Sequence, residues 1–141
     1  MARLESEDVT FELHVNPHQY DDALALLKTV PGLRVIINHL GSPKMENIKS
    51  EKYLDQMRQF ASLPNVFLKV SFFGFITPSK NEQDLALIIE VSKSLIKIFT
   101  PERCMFATNF PVDNHDQFGS WTITDLSRVM KSIAEPFTSD E

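Results

Sequence analysis

The sequence predicts an α/β fold of four βα units, and three observations predict it. Short runs rich in β-branched and aromatic residues alternate four times with longer amphipathic stretches. Each stretch between runs is long enough to cross back over a sheet and join parallel strands in the right-handed sense. Polar residues gather where the runs end, at the edge where parallel α/β sheets place their ligands.

The clearest unit is residues 33–43, LRVIINHLGSP. Pro31-Gly32 turns the chain into it. Val35-Ile36-Ile37 then run apolar without a break, as in a strand buried on both faces. The run ends on Asn38-His39, and Gly41 and Pro43 stop it.

Taken in order, residues 1–8 are charged and read as a tail or the end of a preceding helix. Residues 9–15, VTFELHV, alternate and form the first strand, closed by Asn16-Pro17. Residues 18–30 form a helix with Ala23, Leu24, Leu27 and Val30 on one face. Residues 33–39 are the second strand, and 44–50 a polar loop. Residues 51–63 are the next helix, striped by Tyr53, Leu54, Met57, Phe60 and Ala61. Residues 65–71, NVFLKVS, are the third strand, followed by a loop, FFGFITPSK.

Residues 81–99 give the strongest helical pattern: Leu85, Ile88, Ile89, Ser92, Leu95, Ile96 and Phe99 recur at three-four spacing, and Pro101 ends it. Residues 103–108, RCMFAT, are the fourth strand. Residues 109–119 are a polar loop, and 120–134 the last helix, with Leu126, Val129, Met130 and Ile133 inward.

Composition narrows the function classes. The 141 residues form one domain, 1–141, with 43% hydrophobic and 23% charged residues and a net charge of −5. No basic cluster is present to neutralise phosphates, so nucleic acid is excluded as the expected partner. The single cysteine, Cys104, excludes an intrachain disulfide and suits a reducing compartment. No apolar run approaches a membrane span, so the expected location is cytoplasmic.

The strand ends carry His14 and Asn16, Asn38 and His39, Ser71, then Asn109 and Asp113. Each has a plain reading and a chemical one. His39 either bonds a loop carbonyl or serves as ligand or acid–base group. His14 and His18 read as structural or surface groups, and Asn109 as a turn cap before Phe110-Pro111. His115 reads as solvated, Trp121 and Phe118 as helix packing, and Cys104 as inert core. Side chains alternate along a strand, so the inner sheet face is expected to show Val35, Ile37, Phe67 and Met105. Glu12 and Lys69 would be charges inside buried strands, and an isolated buried charge is costly. They are therefore expected to pair across that face.

Three blocks, FELHVNPHQYDDALALLKTVPGLRVIINHLGSP, NVFLKVSFFGF and PERCMFATNFPVD, resemble the amidohydrolase-related family of TIM-barrel metal-dependent hydrolases, in its sugar-lactonase-like branch. The resemblance runs in order over residues 3–134. It implies four βα units matching strands 5–8 of a (β/α)8 barrel, a half barrel whose Met1 falls mid-barrel and whose chain is truncated. The family's metal-binding His-x-His pair on its first strand has no counterpart here. His39 matches the strand-six histidine, and His14 or His18 falls near the strand-five position. The strand-eight aspartate position holds Asn109, which takes no proton at neutral pH and poorly replaces a carboxylate on a hard metal. Asp113 lies four residues on.

The resemblance implies a hydrolase of a small-molecule lactone, ester or amide, incomplete as an isolated chain. The alternative is a non-catalytic half-barrel remnant or subunit with a binding or assembly role. His39, Asp113 and Asn109 are the catalytic candidates, His18 and Lys69 the substrate-binding ones, and His14 and His39 the metal ligands. The implied cofactor is a divalent metal (zinc) or none. The implied partners are a small-molecule substrate and either a second copy or a chain supplying the first half-barrel, because a half barrel leaves two open edges and an uncovered face.

Overall fold

The computed structural model describes residues 1–137. Four parallel strands form one sheet in the order β1-β2-β3-β4, with β1 at Thr10–Leu13, β2 at Arg34–Ile37, β3 at Val66–Val70 and β4 at Cys104–Phe106. Helices α1 (Ala2–Ser6), α2 (Tyr20–Leu27), α3 (Glu51–Ala61), α4 (Phe73–Ile76), α5 (Glu82–Phe99) and α6 (Ile123–Ala134) complete it. The β-α order expected from the sequence is present, and the segment 1–8 carries the short α1.

Local chemistry sets the helix starts. The Ser50 hydroxyl accepts the Tyr53 N–H at 3.2 Å, and the Asn81 side chain accepts the Asp84 N–H at 2.8 Å. Thr122 and Asp125 cap each other reciprocally, so α6 begins at Ile123 and not at residue 120. At the far end of the sheet, the Arg103 guanidinium donates to the Phe99, Leu63 and Val66 carbonyls at 2.8, 3.1 and 3.3 Å. That clamp takes Arg103 out of β4 and ties the end of α5 to the start of β3.

The core lies between one face of the sheet and the helices. Val35, Ile37, Val66, Leu68 and Val70 are buried there against Leu24 and Leu27 of α2, Met57 and Phe60 of α3, and Ile88, Leu95 and Phe99 of α5. This corrects the expected facing of β2. Val35 and Ile37 point to the helices, and Ile36 points to the open face beside its register partners Glu12 and Phe67. Val35, Ile36 and Ile37 are all apolar, so nothing within that run marks which side meets the helices. Phe67 and Met105 do lie on the open face, where they line a shallow concavity of about 270 Å³ with Thr10, Arg34 and Ile36.

One further local feature differs from the sequence reading. The segment after β3 holds a helical turn, α4, where a loop was expected. Trp121 is fully buried, and its indole N–H donates to the Thr77 carbonyl at 3.3 Å. Among the described residues, no helix is long and apolar enough to cross a membrane.

Candidate active site

A parallel sheet delivers its strand ends to one edge, and three of the four strands leave that edge through left-handed backbone. His39 (φ 58°) follows β2, Phe72 (φ 60°) follows β3 and Asn109 (φ 52°) follows β4. After β2 the left-handed backbone continues through Leu40 (φ 55°), Gly41 (φ 78°) and Ser42 (φ 56°). Non-glycine residues there carry strain of about 1–3 kcal/mol each and persist only where their surroundings hold them.

Two buried tyrosines hold this turn. The Tyr20 hydroxyl of α2 donates to the Gly41 carbonyl at 2.5 Å, and the Tyr53 hydroxyl of α3 donates to the Leu40 carbonyl at 2.8 Å. Burial raises both phenol pKa values, so each remains a donor. A Cβ on Gly41 would lie 2.5 Å from the Tyr20 oxygen, so glycine serves both the backbone angle and the close approach.

The turn sets His39 on the sheet edge. Its Nδ1 lies 2.8 Å from the hydroxyl of Ser71, which is fully buried at the end of β3. The imidazole stands edge-on to His14 (ring centroids 5.2 Å apart) and to Phe72 (4.9 Å). Burial, then the nearby His14 and Lys69 charges, push its pKa down to about 4, against the opposing pull of Glu12. His39 is therefore neutral at neutral pH.

Beneath it lies the ion pair expected from the sequence. Lys69 Nζ is 2.7 Å from Glu12 Oε1, and Asn38 Nδ2 donates to Glu12 Oε2 at 3.2 Å. The Lys69 bond, then the Asn38 bond, hold the Glu12 carboxyl below the usual range. Lys69 is the enclosed partner, with a side chain 15% exposed against 53% for Glu12.

The other candidates fall elsewhere. Asp113 is fully buried; its Oδ1 accepts Asn109 Nδ2 at 3.2 Å and its Oδ2 accepts the Gly74 N–H at 3.5 Å. Burial raises its pKa against the Asn109, Gly74 and Phe73 hydrogen bonds. This arrangement pins the loop after β4 to α4, with Asn109 as Asp113's partner. His18 is exposed beside Pro17 and faces a cleft formed with the loop after β2. His115 is exposed, and burial pushes the Cys104 thiol up to about 12.

Sequence reasoning gave no role to Tyr20 or Phe72, placed Tyr53 only in the apolar stripe of its helix, and placed Ser71 at a strand end without a partner. The tyrosines did carry a signal, since a buried phenol on an apolar helix face needs an acceptor.

A metal centre needs several converging ligands, and a catalytic zinc takes three from protein. Among the described residues, no three His, Cys, Asp or Glu side chains converge. His39 Nδ1 is engaged by Ser71, and the Glu12 carboxylate by Lys69 and Asn38. The described residues do not by themselves fit a metal site.

An amidohydrolase family model matches residues 1–126. The chain belongs to the amidohydrolase family. Among curated relatives, an L-fucono-1,5-lactonase of Burkholderia ambifaria is 26% identical over 120 residues, which are 82% of this chain and 41% of that protein. An L-rhamnono-gamma-lactonase of Scheffersomyces stipitis is 32% identical over 131 residues, 77% of this chain and 38% of that protein. The chain thus spans about two fifths of the length of these relatives. Among solved structures, an amidohydrolase from Burkholderia multivorans with bound zinc superposes with a TM-score of 0.87 at 21% identity, covering 99% of this chain and 49% of that one. A putative 2-pyrone-4,6-dicarboxylic acid hydrolase from Pseudomonas putida superposes with a TM-score of 0.68 at 20% identity, over 98% and 48%. These likenesses establish the α/β fold.

Proposed function

We propose that this chain carries part of the active site of a hydrolase that opens sugar lactones, its four units corresponding to strands 5–8 of an eight-stranded barrel. One observation carries the reading: a neutral imidazole, His39, stands at the strand edge with its Nδ1 bonded to the buried Ser71 hydroxyl. The lactonase names of two relatives supply the substrate class.

An imidazole with a pKa near 4 is a weak base at neutral pH. It works better as an uncharged donor. With the Ser71 hydroxyl donating to Nδ1, the Nε2–H points outward and polarises the lactone carbonyl. Negative charge then developing on that oxygen is stabilised at the moment water attacks the carbon. The water oxygen bonds to the carbonyl carbon, the ring C–O bond breaks, a proton from that water passes to the departing ring oxygen, and a hydroxy acid leaves. Glu12 and Lys69 keep the floor of the site charged yet balanced.

The test is hydrolysis of L-fucono-1,5-lactone and L-rhamnono-γ-lactone at about pH 7 by wild type and His39→Ala. Loss of about a hundredfold or more in the variant is expected. An equal rate in both removes His39 from the mechanism.

A second reading rests on the open sheet face. Ile36, Phe67 and Met105 face away from the helices, and β1 and β4 are both edge strands. Such a face favours assembly with a second copy or with a chain that supplies the other half-barrel. In that reading the chain is a non-catalytic binding or assembly subunit.

A further inference from the structure

β1 and β4 are the two edges of the sheet, and each edge leaves apolar side chains uncovered. At the β4 edge Phe106 is exposed, and so is Ile123 at the start of α6. At the β1 edge Val9 and Leu26 of α2 are exposed. A cavity of about 230 Å³ opens between β1 and α2, walled in part by Leu13, Val15, Ala23 and Leu26. Both ends of one sheet therefore lack an apolar neighbour.

The register shows that this sheet can close on a copy of itself. Followed from strand to strand, the pairing runs Leu13↔Ile37, Ile37↔Leu68 and Leu68↔Cys104. The residues at the strand ends stand progressively farther past this line: His14 by one residue, His39 by two, Ser71 by three and Asn109 by five. The line thus drops toward the strand starts by about one residue per strand. A closed barrel of eight parallel strands has that stagger, about eight residues over eight strands. Four strands are half of such a barrel and use half of its stagger. Carried past Cys104 to a second copy's β1, the line arrives about four residues before Leu13, at Val9. Side-chain parity agrees. Leu13 and Cys104 share the helix side with their partners Ile37 and Leu68, which are buried there, and Val9 has the parity of Leu13. The same register sets the exposed Phe106 beside the second copy's Phe11, and Met105 beside its Thr10.

Charge permits the meeting. The charges that the strands carry are already paired, Glu12 with Lys69 and Arg34 with Asp8, so two open faces approach without like-charge repulsion. Length agrees as well. This chain covers 49% of the Burkholderia multivorans amidohydrolase chain, so two copies supply the length of one such chain.

We propose that a second copy of this chain covers the open face, in a twofold dimer that closes an eight-stranded barrel through two equal β4–β1 junctions in the register Cys104↔Val9. Because every strand is parallel, both His39 rings reach the same mouth, and each copy walls the other's Glu12–Lys69 floor. The proposal rests on the half-barrel reading and commits its partner and its register.

Cys104 is the single cysteine, so one added cysteine tests the junction. Within one copy β1 and β4 are separated by two strands, roughly 14 Å. That exceeds the Cα separation of about 7 Å that a disulfide can bridge. Val9→Cys, oxidised with copper–phenanthroline, is expected to give a covalent dimer on a non-reducing gel. Wild type and Thr10→Cys, whose side chain faces the other side of the sheet, are expected to give none. Phe11→Cys with Phe106→Cys in a Cys104→Ser chain tests the same register at a second height and is expected to cross-link likewise. Sedimentation of wild type at micromolar concentration is expected to show twice the mass of one chain. A monomer, a larger assembly, or a dimer that neither cysteine pair cross-links would each overturn the proposal. The last of these leaves the assembly reading standing with another interface. A cross-linked dimer that hydrolyses no lactone keeps the closed barrel and removes the hydrolase reading, whereas lactone hydrolysis by a monomer does the reverse.

Discussion

Glu12 and Lys69 meet at 2.7 Å across β2, from two strands that do not touch each other. The pair bridges the open face over Ile36 and forms the floor beneath His39. Glu12 is more than half exposed, so screening holds its stabilisation to about 0.2–1 kcal/mol. The sign follows from linkage. Glu12's folded pKa lies below its unfolded value, so the stabilisation is present above the ordinary carboxylate range and is lost as pH falls through the lowered value. The urea midpoint difference between wild type and Glu12→Gln is expected to be largest above the ordinary carboxylate range and to vanish once pH has fallen below the lowered value. A difference that grows on acidification would contradict the pairing.

His39 titrates in the opposite manner to an exposed histidine. Its pKa is depressed from 6.5 to about 4, so the unfolded chain takes up a proton that the native state refuses. Stability should fall as pH drops from 6.5 toward 4, by at most about 1.4 kcal/mol per pH unit, and then level off. An NMR titration of the His39 ring checks this, and a midpoint near 6.5 would refute it. Ser71→Ala leaves Nδ1 unpaired and is expected to cost about 1–2 kcal/mol and to alter the His39 tautomer signals.

Tyr20→Phe and Tyr53→Phe each strip a buried carbonyl of its donor in the same four-residue turn. Each is expected to cost about 1–3 kcal/mol in a denaturant titration. Because both act on one turn, the double variant should depart from additivity by about 0.5 kcal/mol or more. Strict additivity would mean the two bonds hold the turn independently.

Gly119 adopts φ 82°, and a Cβ there would run into the Pro78 carbonyl. Backbone on backbone leaves no flexible group to yield. Gly119→Ala is expected to destabilise by about 2–4 kcal/mol or more, read as a lowered melting temperature. A neutral effect would require residues 78 and 119 to lie farther apart than they do here.

The open sheet face makes a prediction about mass. The chain is expected to associate in sedimentation at micromolar concentration, and Ile36→Lys or Phe67→Lys to shift it toward monomer by placing a charge on that face. A wild-type chain that stays monomeric would remove the assembly reading.

Sequence periodicity by itself determined the four βα units, the helix faces that carry Leu24, Met57, Leu95 and Ile133, and the delivery of His14, His39 and Ser71 to one edge. Burial dictates these, and burial leaves a repeating mark on the chain. The Glu12–Lys69 pair was legible for the same reason, since two charges in buried strands have few alternatives. The facing of Ile36, the left-handed turn at residues 39–42, the Tyr20 and Tyr53 clamp and the Ser71–His39 bond were decided only by the tertiary structure. Val35, Ile36 and Ile37 are apolar without a break and carry no parity among themselves. Left-handed backbone at His39, Leu40 and Ser42 has no residue signature beyond Gly41. A phenol's acceptor on another loop is a matter of distance in space, which the spacing of residues along the chain does not encode.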